Sequence, residues 1–318
     1  MSQHCLFSAP FDFLPTETLD AYRAQMPTTF REIWKADQLG DVSKVTVWSP
    51  NPGQNFVIDD SILDQMPALK IISTASTGKN HIDEDACARR GIDVYCLLDH
   101  RETLESISAS PEFTFLLMLN TLRRLDVCMN EVSQGRWRDN EELMRGREMY
   151  GKKIGLIGMG RIGRRLKRWC EAFDAHVTYY DPYVENIDGK VKTLGGLFTS
   201  VDMVCVCCYL TDETTNMIGS ALLNQMKPNA CLINTSRGEI IIEDDLVKFI
   251  QDRPDIEVAL DVLAGEVTGT HLSSELIALH NTGRIVLTPH IAGASTESQS
   301  KAALGALHCL IRASGVAP

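Results

Sequence analysis

The chain has 318 residues, about twice the length of a typical domain, so two compact units are expected rather than one. Hydrophobic residues make up 44% of the sequence and charged residues 23%, which is typical of globular proteins and excludes the disordered and fibrous classes. The formal net charge of -11 argues against a nucleic-acid partner, because such binding depends on clustered Lys and Arg.

The N-terminal stretch carries no targeting signal that we recognise. It has no basic flank, and Pro10, Asp12 and Pro15 interrupt its apolar run, so a secretory signal is not expected. No stretch of the sequence approaches the roughly 18 uninterrupted apolar residues that a membrane-spanning helix requires. We therefore expect a cytoplasmic protein with no membrane partner.

Most of the ten cysteines are single residues within apolar segments. Only Cys205, Cys207 and Cys208 cluster. Cys205 and Cys208 have CxxC spacing, but no second pair stands nearby, and residues three apart in a strand face opposite ways. We interpret the cluster as part of a buried strand, with metal or redox chemistry as the less favoured alternative, and expect no metal site.

The first third of the chain, from about His4 to Leu97, alternates short β-branched runs with amphipathic stretches, which predicts an α/β unit. The predicted elements are strands over 44–48, 70–74 and 93–97, and a helix over 82–90 that Gly91 ends. Segment 98–108 is expected to be extended. A long helix should then begin at Ser110-Pro111-Glu112, where a capping residue, a first-turn proline and an acid precede the apolar stretch 113–125.

A second α/β unit is predicted after the polar stretch 131–150, which shows no clear period. Strands are expected over 153–158, 177–180, 203–208, 230–234, 258–260 and 284–288, separated by helix-length segments. This alternation predicts a parallel, doubly wound sheet with helices on both faces. A last helix is predicted over 296–313.

A glycine motif directly follows the first strand of this second unit: Gly158-Met159-Gly160-Arg161-Ile162-Gly163. A strand before the motif and a helix after it are the context that a dinucleotide-binding loop requires. Gly158 permits the tight turn, Gly160 lets the backbone approach a pyrophosphate, and Gly163 lets the helix pack closely on the strand. The helix start, with Arg161 and Ile162, offers free N–H groups to the phosphate charge. A chance glycine turn is the less favoured alternative.

The next predicted strand ends at Asp181, near the spacing at which a carboxylate binds the adenosine ribose hydroxyls. A carboxylate there repels a 2′-phosphate, which favours NAD over NADP. Arg161, Arg164 and Arg165 keep NADP open as an alternative, although a solvated helix face explains these arginines more simply.

Three polar segments follow later strands of the same unit: Asn234 to Gly238, Asp261 to Glu266, and Thr288 to Gly293. Taken singly, Arg237, Glu266 and His290 have ordinary explanations as a surface ion pair, a loop carboxylate and a core histidine. Because a doubly wound sheet places its ligands at the carboxyl ends of its strands, the three together indicate a catalytic set beside a nicotinamide ring.

The chain resembles the D-isomer-specific 2-hydroxyacid dehydrogenase family over nearly its whole length. The resemblance rests on Thr77-Gly78, Asn80-His81-Ile82-Asp83, Pro111-Glu112, Gly135-Arg136-Trp137, the glycine motif and the three strand-end segments. It implies two Rossmann-like α/β domains with doubly wound parallel sheets: a flavodoxin-like substrate domain at 1–104 and 296–318, and an NAD-binding domain at 105–295. It also implies a homodimer formed through the helix from Pro111 and the segment around Trp137.

The activity implied by the resemblance is hydride transfer between NAD(H) and C2 of a small 2-hydroxy or 2-oxo acid. In that family an arginine holds the substrate carboxylate and carbonyl, a histidine exchanges a proton with the C2 oxygen, and a glutamate pairs with the histidine. By matching position, these roles fall to Arg237, His290 and Glu266. Ketone reduction builds negative charge on oxygen, which a cationic acid stabilises, and a guanidinium matches a carboxylate in two parallel hydrogen bonds.

Further binding positions follow from the same resemblance. The family binds the substrate carboxylate with backbone amides of a loop that matches Ser76, Thr77 and Gly78. The cofactor site extends to Thr235, Asp261, His290 and Gly293.

Departures from the family pattern concern the substrate more than the reaction. Val267 follows Glu266 where a proline is usual, and Lys79 stands where an apolar residue is common. Lys79 and Arg101 are interpreted as solvent-exposed charges; if they instead bind substrate, the substrate carries a second anionic group.

Two other functions stay open. Phosphite oxidation occurs in the wider family, and some relatives act mainly as NAD(H)-sensing binding proteins. A formate dehydrogenase is disfavoured, because such relatives replace the glutamate at position 266 with glutamine.

Overall fold

A computed structural model describes residues 3–314. The chain forms two compact units. The first contains the residues up to Ser108, the short segment Glu266–Gly269 and the residues from Gly293 onward; the second contains Ala109–Gly265 and Thr270–Ala292. The functional domain bounds of the sequence analysis, 1–104 with 296–318 and 105–295, stay a prediction.

The first unit is built on a parallel sheet of five short strands. Its elements are β1 (Cys5–Phe7), α1 (Thr16–Gln25), β2 (Thr28–Phe30), β3 (Val47–Ser49), α2 (Asp60–Leu63), β4 (Ile71–Ser73), α3 (Glu84–Arg89), β5 (Asp93–Tyr95) and α4 (Arg101–Ser106). The strand order is β2-β1-β3-β4-β5, with every pair parallel. This is the flavodoxin-like order, so the predicted fold class of this unit is confirmed.

The second unit is built on a parallel sheet of six strands. Its elements are α5 (Ala109–Arg123), α6 (Leu125–Ser133), α7 (Glu141–Met144), β6 (Lys153–Ile157), α8 (Arg161–Ala172), β7 (His176–Tyr180), α9 (Leu194–Ser200), β8 (Met203–Val206), α10 (Ser220–Leu223), β9 (Cys231–Asn234), α11 (Glu243–Asp252), β10 (Glu257–Leu260), α12 (Glu275–Asn281) and β11 (Val286–Leu287). The strand order is β11-β10-β9-β8-β6-β7. The order reverses at β6, which is where open α/β sheets bind ligands.

Both faces of the second sheet are buried. Along β8, Val204 and Val206 pack into the hydrophobic cluster on one face, while Met203 and Cys205 pack into the cluster on the other. This pattern explains why the strands of a doubly wound sheet are apolar without alternation. It also confirms the interpretation of Cys205 as a buried strand residue, although the strand ends at Val206 and leaves Cys207 beyond it.

The last helix, α13 (Thr296–Ser314), returns to the first unit. Its residues Leu307 and Leu310 pack in one cluster with Cys5 and Phe7 of β1. The described part of the chain contains no helix that is both long and apolar enough to cross a membrane.

Two predictions of local structure are wrong. Segment 98–108 is not extended: it contains α4, whose first turn is capped by the His100 ring, with the Thr103 N–H at 3.4 Å from Nδ1. The long helix begins at Ala109, so Ser110 lies inside its first turn instead of capping it. The stretch 131–150, in which the sequence shows no clear period, contains the end of α6 and all of α7.

Candidate active site

The carboxyl end of β6 carries the glycine loop. Gly158 has a φ of +99°, a left-handed conformation that favours glycine, and its N–H donates to the Tyr180 carbonyl at 2.9 Å. A Cβ on Gly163 would lie 2.2 Å from the Gly158 carbonyl oxygen, so only glycine lets α8 approach the strand this closely. A Cβ on Gly160 would meet no heavy atom within 4 Å, so this glycine faces open space at the helix start. The loop therefore has the geometry expected for holding a pyrophosphate.

Asp181 lies directly after β7 and ties this strand end to the glycine loop. Its Oδ2 accepts a hydrogen bond from the Met159 N–H at 2.8 Å. Its Oδ1 accepts from the Tyr183 and Val184 N–H groups at 2.9 and 3.1 Å. These three amides fix the carboxylate beside the loop, where the sequence predicts contact with the adenosine ribose.

Arg237 follows β9 in a turn that its neighbours hold. The Asn234 side chain accepts from the Ser236 N–H at 2.9 Å and donates to the Arg237 carbonyl at 2.9 Å. The half-buried guanidinium donates from Nη1 to the Ser236 carbonyl at 2.7 Å. A Cβ on Gly238 would lie 2.0 Å from the Leu263 carbonyl carbon, so the turn packs directly on the backbone that follows β10.

His290 follows β11 in an unusual backbone conformation. Its φ is +53°, in the left-handed region that costs a non-glycine residue about 1–3 kcal/mol. The His290 N–H donates to the Asp261 carbonyl at 2.8 Å, which fixes the turn to the end of β10. His290 is exposed, so it is not the core histidine that the sequence offered as an alternative.

Asp261 holds the segment around His290 with its side chain as well. Its fully buried carboxylate accepts from the Thr288 hydroxyl at 2.6 Å and the Ile291 N–H at 2.9 Å on one oxygen, and from the Ala292 N–H at 2.8 Å on the other. Burial raises the pKa of this carboxyl, and the three hydrogen bonds oppose that rise. With three donors already on it, the carboxylate positions the histidine turn from within the protein.

Thr235, which the sequence placed in the cofactor site, is buried beside Arg237. Its hydroxyl lies 2.7 Å from the hydroxyl of Thr114, which also lies 2.7 Å from the Ser110 carbonyl. This contact joins α5 to the end of β9. Thr235, Arg237, Asp261 and His290 all follow the carboxyl ends of three consecutive strands in the sheet order, β9, β10 and β11.

The predicted substrate residues of the first unit fall on two elements. Ser76, Thr77 and Gly78 form one half-buried loop after β4, and Lys79 follows it. Lys79 pairs with Glu84, and the Lys79 side chain is only 31% exposed. Arg101 lies on a different element, since it is the exposed first residue of α4.

Glu266 and Gly293 belong to segments of the first unit, unlike the other predicted catalytic and cofactor residues. Glu266 is half-buried and follows Gly265, whose φ is +74° and whose N–H donates to Glu239 at 3.1 Å. Gly293 is exposed and opens the return to α13.

Sequence reasoning missed the side chains that hold these turns, above all Asn234, Thr288 and His81. Asn234 and Thr288 each end a predicted strand, and a polar side chain at that point could have indicated a residue that holds the following turn. His81 lies only 1% exposed behind the loop 76–78, and nothing in the local pattern indicated its burial. Among residues 3–314, no group of three or more His, Cys, Asp or Glu side chains is arranged to hold a metal ion.

Comparison with known proteins gives a family for this arrangement. Residues 115–292 match the description "D-isomer specific 2-hydroxyacid dehydrogenase, NAD binding domain", and residues 35–108 match the catalytic domain of the same family. The chain belongs to the D-isomer-specific 2-hydroxyacid dehydrogenases. The resemblance seen in the sequence is therefore confirmed, and this chain is an NAD-dependent enzyme of that family.

Individual relatives cover most of the chain. A glyoxylate reductase from Thermococcus gammatolerans is 31% identical over 248 residues, which is 75% of this chain and 71% of that protein. A glyoxylate reductase from Thermofilum pendens is 34% identical over 255 residues, 77% of this chain and 72% of that protein. The crystal structure of D-lactate dehydrogenase from Aquifex aeolicus, complexed with NAD and lactic acid, aligns with a TM-score of 0.81 at 25% identity, covering 98% of this chain and 96% of that one.

The residues of this dehydrogenase fit its cofactor, NAD. The glycine loop leaves the N-terminus of α8 open at Gly160, and the fixed carboxylate of Asp181 stands beside it. A helix start with free N–H groups and a carboxylate beside it fit the pyrophosphate and the ribose hydroxyls of NAD.

Proposed function

We propose that this enzyme reduces small 2-oxo acids at C2 with NADH and oxidises the corresponding 2-hydroxy acids in reverse. The observation that supports the proposal is the placement of Arg237 and His290. Arg237 follows β9 and His290 follows β11, and these strands are the two neighbours of β10. Asp261, which directly follows β10, binds the His290 segment through both its backbone carbonyl and its side chain. A cation and an imidazole therefore stand at the same sheet edge as the glycine loop.

The proposed chemistry divides between these two side chains. Bound NADH supplies the hydride that C2 accepts. Arg237 binds the substrate carboxylate and the C2 carbonyl oxygen, which orients the carbonyl and stabilises the charge that develops on it. The His290 imidazolium donates its ring proton to that oxygen, and the neutral ring takes the proton back in the reverse direction.

Three further assignments extend the proposal by resemblance to the family. Glu266 pairs with His290, and Thr235, Asp261 and Gly293 complete the cofactor site. Backbone amides of Ser76 to Gly78 bind the substrate carboxylate. Because Lys79 is paired with Glu84 and Arg101 is exposed on α4, we propose a substrate with a single anionic group.

The experiment is NADH oxidation by the purified protein with a panel of 2-oxo acids. Glyoxylate comes first in the panel, because it is the substrate in the names of the two relatives described above. Pyruvate, hydroxypyruvate and a dianionic 2-oxo acid follow. Turnover with at least one member supports the proposal, and no turnover with any member contradicts it.

Asp181 should set the preference for NADH over NADPH. Asp181→Asn removes the charge that repels a 2′-phosphate and keeps one of the two acceptor oxygens, so either Met159 or the pair Tyr183 and Val184 loses its hydrogen-bond acceptor. We expect the ratio of kcat/KM values for NADH and NADPH to fall by about tenfold, a change of about 1.4 kcal/mol. Steady-state kinetics with both coenzymes measures it, and an unchanged ratio would assign the preference to another residue.

We also propose a homodimer that forms through α5, α6 and the segment around Trp137. Of the fifteen exposed large hydrophobic residues in the described structure, seven lie between Ala109 and Tyr150: Leu116, Leu125, Met129, Val132, Trp137, Leu143 and Tyr150. Trp137 is 74% exposed. Exposed apolar residues concentrated on neighbouring helices are typical of a protein interface, in which aromatic anchors contribute most of the affinity.

Trp137→Glu should therefore separate the two subunits. A charge at an interface anchor is left unpaired when the interface closes, so we expect a change from the mass of two chains to the mass of one in sedimentation at micromolar concentration. Phe13→Glu is the matched control, since Phe13 is an exposed aromatic residue of the first unit. A dimeric Trp137→Glu protein would contradict this interface.

The loop that presents Trp137 is held by a buried carboxylate. Glu131 is 5% exposed and accepts from Arg136 Nε at 2.6 Å and from the Asn140 amide at 2.8 Å. The Arg136 hydrogen bonds, followed by that of Asn140, lower the pKa of Glu131 from 4.5 to about 2. Because the folded pKa is the lower one, this stabilisation is fully present above pH 4.5 and is lost as the pH falls through about 2.

Glu131→Gln should consequently destabilise the protein more at pH 7 than at pH 3. The amide keeps the shape of the side chain but loses the charge that the guanidinium binds. Thermal unfolding of both proteins at the two pH values measures the difference, and Glu142→Gln, at an exposed position of α7, is the control. An equal loss of stability at pH 7 and pH 3 would show that the charge of Glu131 is not what matters.

A further inference from the structure

A chain of hydrogen bonds runs behind the loop 76–78 of the first unit. His81 Nε2 lies 3.1 Å from Thr74 Oγ1, Thr74 Oγ1 lies 3.1 Å from Ser76 Oγ, and Ser76 Oγ donates to the Gly78 carbonyl at 2.7 Å. His81 is 1% exposed and Thr74 is fully buried. These contacts link a buried imidazole to the backbone of the loop for which the sequence predicts carboxylate binding.

The direction of every proton in this chain is determined by its last acceptor. The Gly78 carbonyl only accepts, so the single Ser76 hydroxyl proton is donated to it. Ser76 Oγ must then accept from Thr74, and Thr74 Oγ1 must in turn accept from His81. His81 therefore carries a proton on Nε2, and each bond polarises the next in the same direction.

The same contacts set the orientation of two peptide planes in the loop. The Ser76 carbonyl accepts from the Leu97 N–H at 2.9 Å, and the Gly78 carbonyl accepts from Ser76 Oγ. In a planar trans peptide the N–H points away from the C=O, so the Thr77 N–H points away from Leu97 and the Lys79 N–H points away from Ser76 Oγ. Within residues 3–314, neither of these two N–H groups donates to a protein acceptor.

We propose that His81 is a positioning residue for substrate: through Thr74 and Ser76 it fixes the Gly78 carbonyl, and with it the loop 76–78 whose backbone amides bind the carboxylate of a 2-oxo acid. The proposal rests on the proposed function, since it names how that substrate is bound. A preorganised set of amides binds an anion without the entropic cost of ordering the loop. This chain of hydrogen bonds from His81 to Gly78, which we call the relay, should therefore affect the binding of the oxo acid. It should leave hydride transfer and the binding of NADH unchanged.

Thr74→Val tests the relay at its middle. Valine keeps the shape of threonine and removes the hydroxyl, so both neighbours lose their partner. We expect KM for the 2-oxo acid to rise about tenfold, with kcat within about twofold and KM for NADH unchanged. Thr18→Val is the matched control, because Thr18 is a 3% exposed threonine of the same unit whose hydroxyl contacts Ser300 at 2.7 Å. An unchanged KM for the oxo acid, or an equal fall in kcat, overturns the proposal.

A variant of the imidazole tests its role separately. The amide nitrogen of glutamine occupies about the position of a histidine Nε2, so His81→Gln should keep KM for the oxo acid within about threefold of the wild type. His81→Leu, which has no donor, should raise that KM about tenfold, as Thr74→Val does. Equal KM values for His81→Gln and His81→Leu overturn the proposal.

A measurement without turnover distinguishes this proposal from the proposed function. In a ¹H–¹⁵N spectrum of the histidine rings, Nε2 of His81 should be protonated, and its proton should exchange faster in Thr74→Val. If the wild-type protein reduces no 2-oxo acid but shows this tautomer, the proposed function fails while the relay stands. An unprotonated Nε2 with a protonated Nδ1 overturns the relay itself.

Discussion

Replacing His290 with asparagine should lower kcat for 2-oxo acid reduction by roughly 100-fold to 10,000-fold, the contribution that a positioned general acid makes. Asparagine is the informative substitution, because the backbone of His290 has a φ of +53°. Asparagine accepts this left-handed conformation more readily than alanine, so the variant removes the acid without straining the turn that Asp261 holds. Stopped-flow or steady-state reduction of the best oxo acid measures the loss.

The matched control for this experiment is His176→Asn, at an exposed histidine at the start of β7 in the same unit. It should leave kcat unchanged. The affinity of His290→Asn for NADH, followed by fluorescence, should fall far less than kcat, since the glycine loop and Asp181 are untouched. A variant that keeps more than about a tenth of wild-type kcat would exclude His290 as the proton donor.

The sequence predicts the second unit well because its signals are local. A strand, the glycine motif and a helix follow one another directly in the chain, so the spacing of Gly158, Gly160 and Gly163 specifies the turn before any tertiary contact is known. Arg237 and His290 were found by the same rule, since each follows a predicted strand. That the two strands flank β10 depends on the topology of the sheet, which the sequence does not specify locally.

What the sequence did not predict depends on contacts between distant parts of the chain. The left-handed backbone of His290 is maintained by Asp261. Because Asp261 lies about 30 residues earlier in the chain, no sequence pattern near His290 indicates this contact. The strands β1 and β2 have three residues each, too few for a period to appear. Helix α4 is also short, and its start depends on the His100 ring as an unusual cap.

Two substitutions in the glycine motif after β6 should weaken NADH binding for different reasons. In Gly163→Ala, the new Cβ lies 2.2 Å from the Gly158 carbonyl oxygen, about 1 Å inside normal contact, so α8 must move away from the strand. We expect a loss of about 1–3 kcal/mol in the free energy of unfolding, together with loss of measurable NADH binding.

Gly160→Ala is the matched substitution, because its Cβ meets no heavy atom within 4 Å and the backbone there has a φ of −75° that alanine adopts. Its free energy of unfolding should change by less than about 1 kcal/mol, the scale of a weakened helix cap. Its affinity for NADH should still fall at least about tenfold, since the methyl group stands where the backbone must approach the pyrophosphate. Chemical denaturation and fluorescence titration of both variants separate the two effects.

A Gly160→Ala protein that is as stable as the wild type and binds NADH equally well would remove the glycine loop from the cofactor site. A Gly163→Ala protein of wild-type stability would show that the close approach of α8 to β6 is not what requires a glycine there.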